Sequence, residues 1–252
     1  MTFALETMTE GAWALLLVFL RIGAALMVLP GLGEQVIPAR LRLGLAAVLS
    51  LVLVPAMADD LNGVPMRFDV FLRALATESI AGLFVGLGLR LLVIALQTAG
   101  SIAAQSTSLS HLLGPVGGDP MPAIGHILTV SALALLLATG FHTKLIGYFV
   151  ISYDLLPALQ FPSPSVIAEA GRGAVSRSFA LAFSLAAPFV TVSVLYNLTL
   201  GVINKAMPQL MVAFVGAPVI TLGAIVVLML TAPAMLSAWV AVVEAFLASP
   251  YG

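Results

Sequence analysis

Cysteine is absent from the 252 residues, which removes disulfides, thiolate metal sites and cysteine nucleophiles together. Charge is scarce as well: Asp, Glu, Lys and Arg make up 8% of the chain, where a soluble globular protein carries roughly a quarter. Ten basic residues against eleven acidic ones leave a formal net charge of -1, which removes the argument for a nucleic-acid footprint, since that would need a basic face. What fills the chain instead is 61% hydrophobic residues, with a mean hydropathy of +1.15. This is the composition of an integral membrane protein, with room for about six to eight membrane-type helices of about 20 residues each.

Chemistry-bearing motifs are missing too. No phosphate-cradling glycine loop, serine nucleophile elbow or paired carboxylate set occurs. Gly86 and Gly88 form a GxG, but inside an apolar helical run, not in the strand-to-helix context that a dinucleotide requires. His111, His126 and His142 share no metal-ligand spacing. The expectation is a noncatalytic chain without a cofactor or metal. The first eleven residues hold Glu6 and Glu10 but neither Lys nor Arg, so Ala12 to Leu29 reads as a retained first helix and not as a cleaved signal.

Seven apolar runs are separable: Ala12 to Leu29, Leu43 to Met57, Leu75 to Ala99, Ala123 to Phe141, Leu145 to Leu159, Phe179 to Ile203 and Leu210 to Leu247. Two are short for a hydrocarbon core of about 30 Å. The last exceeds about 50 Å as one helix, so it is either a hairpin or a helix reaching past a bilayer, with Pro218 and Pro233 as candidate bends. The polar stretches Ala58 to Arg73 and Gln160 to Ser178 read as surface connections. No boundary or fixed-period repeat divides the chain, which reads as one domain over 1–252. The expected positive-inside bias is also missing, because Arg and Lys are shared evenly over successive connections. Helices shielded by partner subunits would not need it.

Four features stand out. Glu78, Gly82, Gly86 and Arg90 recur every four residues, on one face of a helix; the glycines suit close helix approach, read as a subunit interface. Glu78 and Arg90 lie about 18 Å apart along that helix and so need partners elsewhere. Arg21 sits deep in the first run, with Glu34 its nearest carboxylate in sequence. Asn197, Asn204, Lys205, Pro208 and Gln209 interrupt two apolar runs, either as a hairpin turn or as a lining of a wet channel. The fourth is the segment from Gln105 to Gly125. Its prolines Pro115, Pro120 and Pro122 and glycines Gly114, Gly117 and Gly118 exclude regular structure, yet Leu112, Leu113, Val116 and Met121 are apolar and Asp119 carries the one formal charge.

In order and spacing these landmarks resemble the FliR family of flagellar type III export-gate proteins, with its injectisome counterparts. The matching stretches are Arg21 to Pro30 with Val36 to Gly44, Glu78 with Gly82-Leu83 and Gly86 to Leu91, Leu109 to Pro122, and Asn197-Leu198 through Pro208-Gln209-Leu210 to Pro218. The resemblance implies an all-α, polytopic fold of helix hairpins, built to assemble into a helical multi-subunit export gate at the bacterial inner membrane, in the flagellar basal body. Implied partners are FliP and FliQ, FlhB and FlhA, and unfolded export substrates. The stretch from Ala206 to Trp239 also looks like the FliQ hairpin. The resemblance further implies a pore-plug loop over Ser106, Leu109, His111, Leu112, Leu113, Gly114, Pro115, Val116, Gly117, Gly118, Asp119, Pro120, Met121 and Pro122. His111 stands where family members often carry phenylalanine. Arg21, Glu78, Gly82, Gly86, Arg90, Asn197, Pro208 and Gln209 are the expected subunit interface. The alternatives are an injectisome export-apparatus subunit and a small secondary transporter with a site near Arg21, Glu78 and Asn197.

Overall fold

The computed structural model describes residues 2–34, 37–61, 63–107, 122–207 and 212–250. Among these residues every regular element is a helix: α1 (Thr2–Val28), α2 (Ala39–Leu53), a 3-10 turn (Val54–Met57), the single turn α3 (Ala58–Leu61), α4 (Phe68–Ser106), α5 (Ala123–Ala138), α6 (Phe141–Leu155), α7 (Pro164–Ala206) and α8 (Val212–Ala248). Five are long and apolar enough to cross a membrane, and α5 with α6 forms a broken pair that makes a sixth. The all-α, polytopic expectation holds.

Proline and glycine place the helix ends. Pro38 precedes α2 with an extended ψ of 139°, and Pro164 opens α7 at the position where a missing N–H costs nothing. Gly140, at φ 81°, separates α5 from α6; a side chain there would be strained.

Of the two alternatives for the terminal run, the long helix is the one found from Val212 to Ala248, with Pro218 and Pro233 within it. In apolar surroundings every backbone group must be paired, so a chain rich in good helix formers absorbs a proline more readily than it opens a loop. The stretch from Gln160 to Ser178 is helical from Pro164 onward. Asn197, Asn204 and Lys205 lie inside α7, which ends at Ala206, while Pro208 and Gln209 of the same polar interruption lie outside the described residues.

At about 1.5 Å per residue, α4, α7 and α8 have 39, 43 and 37 residues and run roughly 55 to 65 Å along their paths. A tilted span of a bilayer needs far less.

The chain forms two compact units. The first comprises Met1–Leu91, Leu137–Ala174 and Glu244–Gly252; the second comprises Leu92–Leu136 and Val175–Val243. The chain passes from one to the other within continuous helices, so no change in composition marks a boundary. The first unit's core is built on Leu17, Ile22, Leu26, Val85, Leu89, Tyr148 and Phe149, and the second's on Leu96, Leu128, Phe189, Ala224 and Trp239.

Candidate functional site

The first unit is organised around a buried guanidinium. Arg21 is completely buried in α1, about two turns before its end. Its Nε donates to Glu78 Oε2 at 2.7 Å, its Nη1 to the Ser152 carbonyl at 3.1 Å, and its Nη2 to the Leu156 carbonyl at 2.8 Å. The plane of the guanidinium also lies 3.6 Å from the Tyr153 ring centroid, adding a cation–π contact. The Ser152 carbonyl lies in the last turn of α6, where it also accepts the Leu156 N–H, and the Leu156 carbonyl lies at the C-cap, so the cation complements the helix dipole. Glu78 uses its second oxygen to accept from the Leu159 N–H at 2.8 Å. Leu159 adopts φ 60°, a conformation that costs a non-glycine residue about 1–2 kcal/mol, and the carboxylate holds it there. Both charges are thus consumed within the chain. The clamp joins α1, α4 and α6.

Glycine sets the approach of α1 to α4. A Cβ on Gly82 would stand 2.1 Å from the Arg21 carbonyl oxygen, and one on Gly86 2.6 Å from that of Ala25 and 2.5 Å from Val28 Cγ2. Gly88 faces another way, under the Phe246 ring at 2.7 Å. Tyr148 donates to the Val85 carbonyl at 2.9 Å. Around the rim, Arg90 Nη1 meets Glu34 Oε1 at 2.5 Å and Lys144 meets Glu244, with all four side chains partly exposed. Arg42 donates to the carbonyls of Leu32, Glu34 and Ile37, tying down the connection after α1.

The second unit is held differently. A Cβ on Gly100 would lie 2.2 Å from Gly125 Cα, so α4 and α5 cross with backbones touching. Trp239 Nε1 donates to the Leu92 carbonyl at 2.7 Å. Ser193 Oγ donates to the Ser106 carbonyl at 2.5 Å, and Asn197 Nδ2 donates to the Ser193 carbonyl at 2.9 Å and to its hydroxyl at 3.2 Å.

Several of the sequence-derived site residues therefore land in unexpected places. Arg21 pairs with Glu78, 57 positions away, and Glu34 pairs with Arg90; proximity in sequence misassigned the partner. Arg21, Glu78, Gly82 and Gly86 meet within the chain's own first unit. The close-packing face expected to receive another subunit is occupied by α1, so these four are interior positions. Arg90 remains partly exposed and Asn197 exposed. Of the loop residues, Ser106 and Pro122 are described; Leu109, His111, Leu112, Leu113, Gly114, Pro115, Val116, Gly117, Gly118, Asp119, Pro120 and Met121 lie outside the described residues, as do Pro208 and Gln209. His126 and His142 are exposed. Ser152, Tyr153, Leu156 and Leu159 were not anticipated. Ser152 and Tyr153 are visible as polar atoms in an apolar run, but a carbonyl or a leucine at positive φ leaves no trace in sequence.

Five long apolar helices and a broken pair define a multi-pass, all-α membrane protein. A family model described as "Bacterial export proteins, family 1" matches residues 12–246. The chain is 34% identical over 204 residues to the flagellar biosynthetic protein FliR of Caulobacter vibrioides, covering 80% of this chain and 81% of that one. To its Escherichia coli namesake it is 32% identical, covering 79% and 76%, and to the Aquifex aeolicus one 30% identical, covering 90% and 88%. The chain belongs to the FliR family of bacterial export proteins and is, as such, a membrane component of a flagellar export apparatus.

Proposed function

We propose that this chain is a noncatalytic pore subunit of the flagellar type III export gate at the bacterial inner membrane. It would assemble with FliP and FliQ, adjoin FlhB and FlhA, and pass unfolded substrates. The observation that carries the reading is the exposed apolar surface of α7. Val166, Val175, Phe179, Phe183, Val190, Val194, Leu198, Val202 and Ile203 are all exposed, over a helical path of about 55 Å. Hydrocarbon about 30 Å thick cannot cover that length, and tilt within the usual range does not close the gap. Water cannot cover it without cost either. Other protein must, which is what membership of a multi-subunit gate supplies. The even spread of Lys and Arg agrees, since a chain held by partners is under less pressure to sort its charges.

In this reading the segment from Ser106 to Pro122 is the plug. Its apolar side chains exclude water and ions without binding them, and its glycines let it yield when substrate arrives. With histidine at 111, closure rests on Leu112, Leu113 and Met121. The test is deletion of Gly114 to Pro120 in the assembled complex: assembly is expected to survive while leakage of ions and small solutes rises. Unchanged leakage from a correctly assembled complex would overturn the plug. No feature favours the transporter alternative, because Arg21 and Glu78 saturate one another.

A further inference from the structure

We propose that the open face of α4 from Gln97 to Gln105 is a hydrated track for the exported polypeptide, meeting its backbone through neutral side chains. The inference deepens the pore-subunit reading above and rests on it. Beyond Arg90 the sequence of α4 holds no formal charge up to its end at Ser106. The face it turns inward there is apolar and mostly small, with Leu92, Val93, Leu96, Ala99, Ala103 and Ala104 buried. The open face is the polar one: Gln105 is exposed and Gln97, Thr98 and Ser101 are part-exposed, with Ile94 and Ile102 beside them. Gln97, Ser101 and Gln105 follow one another by a turn and so form one stripe about 12 Å long.

That arrangement is the reverse of what hydrocarbon selects, because an amide without a partner is costly in apolar surroundings. Nor is it the end of a helix bundle standing in water. The Gly100–Gly125 contact sets the start of α5 at this level, and the Ser193–Ser106 bond sets the middle of α7 there. Both neighbours turn apolar side chains outward, Ile127 and Val130 on α5 and Val190, Val194 and Leu195 on α7. Polar surface is therefore concentrated in a strip. His126, next to Gly125, and Asn197, bonded to Ser193, are exposed and extend it onto α5 and α7.

The chemistry of the strip suits an extended chain of any sequence. A partner helix has already paired its backbone within itself and would have to bring matching polar side chains. An unfolded segment offers a free N–H and C=O at nearly every residue, and a glutamine amide both donates and accepts. The amides of Gln97 and Gln105 have no hydrogen-bond partner among the described residues, and the Ser101 hydroxyl, which donates to the Gln97 carbonyl at 3.0 Å, can still accept. At about 3.3 Å per residue the stripe matches about four residues of extended chain. Without formal charge it neither traps acidic or basic segments nor repels them, and neutral hydrogen bonds that replace bonds to water bring little net gain. The substrate is solvated there, not held.

The chain has no cysteine, so single cysteines report on this face directly. Gln97→Cys, Ser101→Cys and Gln105→Cys are compared with Val226→Cys and Met229→Cys, on the exposed apolar face of α8, in the complex assembled with its partner subunits in nanodiscs. A charged, membrane-impermeant maleimide is added, and its attachment to this chain is followed by mass. Labelling at the three α4 positions should be at least about tenfold faster than on α8, where a thiol in apolar surroundings stays protonated, and a stalled export substrate should abolish it on α4. Each position is read on its own, so a variant that fails to assemble leaves the other two to carry the test. Slow labelling on α4 in the assembled complex would show the face covered by a partner subunit and overturn the track. Fast labelling that a stalled substrate leaves unchanged would overturn it too, because the face would then be wet but off the export path. If in that case position 121 still crosslinks to the substrate, the track alone fails; if it does not, the pore-subunit reading falls with it.

Discussion

The two units of this chain are locked in opposite ways. All four ion pairs among the described residues lie in the first unit, the Arg21–Glu78 pair buried and the others at its edges. The described part of the second carries Arg177 and Lys205 as its formal charges and is fastened by a glycine crossing, an indole N–H and a serine hydroxyl, each ending on backbone. Charge makes a strong but brittle lock, because a buried ion left alone is far more costly than the intact pair is favourable. Backbone contact and neutral hydrogen bonds give smaller, separable increments. The unit that carries both ends of the proposed plug is thus the one with graded fastenings.

This contrast can be broken at its strongest point first. Glu78→Ala strands the Arg21 guanidinium and releases Leu159, and is expected to cost about 3–5 kcal/mol, read as loss of folded protein and of co-purified complex. Replacing both charges, Arg21→Met with Glu78→Leu, should recover much of that loss. If the single and double variants are equally damaged, the lock is not electrostatic.

Overpacking comes next. Gly82→Ala in the first unit and Gly100→Ala in the second each force a Cβ onto backbone, at an expected cost of about 1–3 kcal/mol or more, seen as a lowered unfolding midpoint in detergent; normal midpoints would show that the helices can part freely. Trp239→Phe removes the bond to Leu92 while keeping most of the packing, and should cost about 1 kcal/mol. Lys144→Ala is expected to do least, under about 1 kcal/mol, because its pairing with Glu244 is half exposed. A Lys144 effect as large as that of Glu78 would erase the distinction between buried and surface pairing.

The sequence was most informative where physics is local. Hydrophobic runs located the long helices, and the four-residue spacing of Gly82 and Gly86 correctly marked a close helix contact. It misled where the outcome depends on what surrounds the chain. Pro218 and Pro233 were candidate bends in a run that could have been a hairpin, and α8 is continuous through both. Glu34 looked like the partner of Arg21 because it is near in sequence, whereas the fold brings Glu78 there instead. The interface assigned to the glycine face turned inward for the same reason: spacing shows that something approaches, not what. Asn197 stood out as a polar residue in an apolar run, but Ser193 did not, and the Ser106 carbonyl that Ser193 meets carries no residue label.

The central claim is that the segment between α4 and α5 closes a pore used by exported chains. A photo-crosslinking residue at position 121, in the complex assembled with its partner subunits and loaded with a stalled export substrate, tests it most directly. The account expects a crosslink to the substrate that disappears when export is allowed to finish. Reproducible absence of that crosslink, from a complex shown to be assembled and loaded, would contradict it.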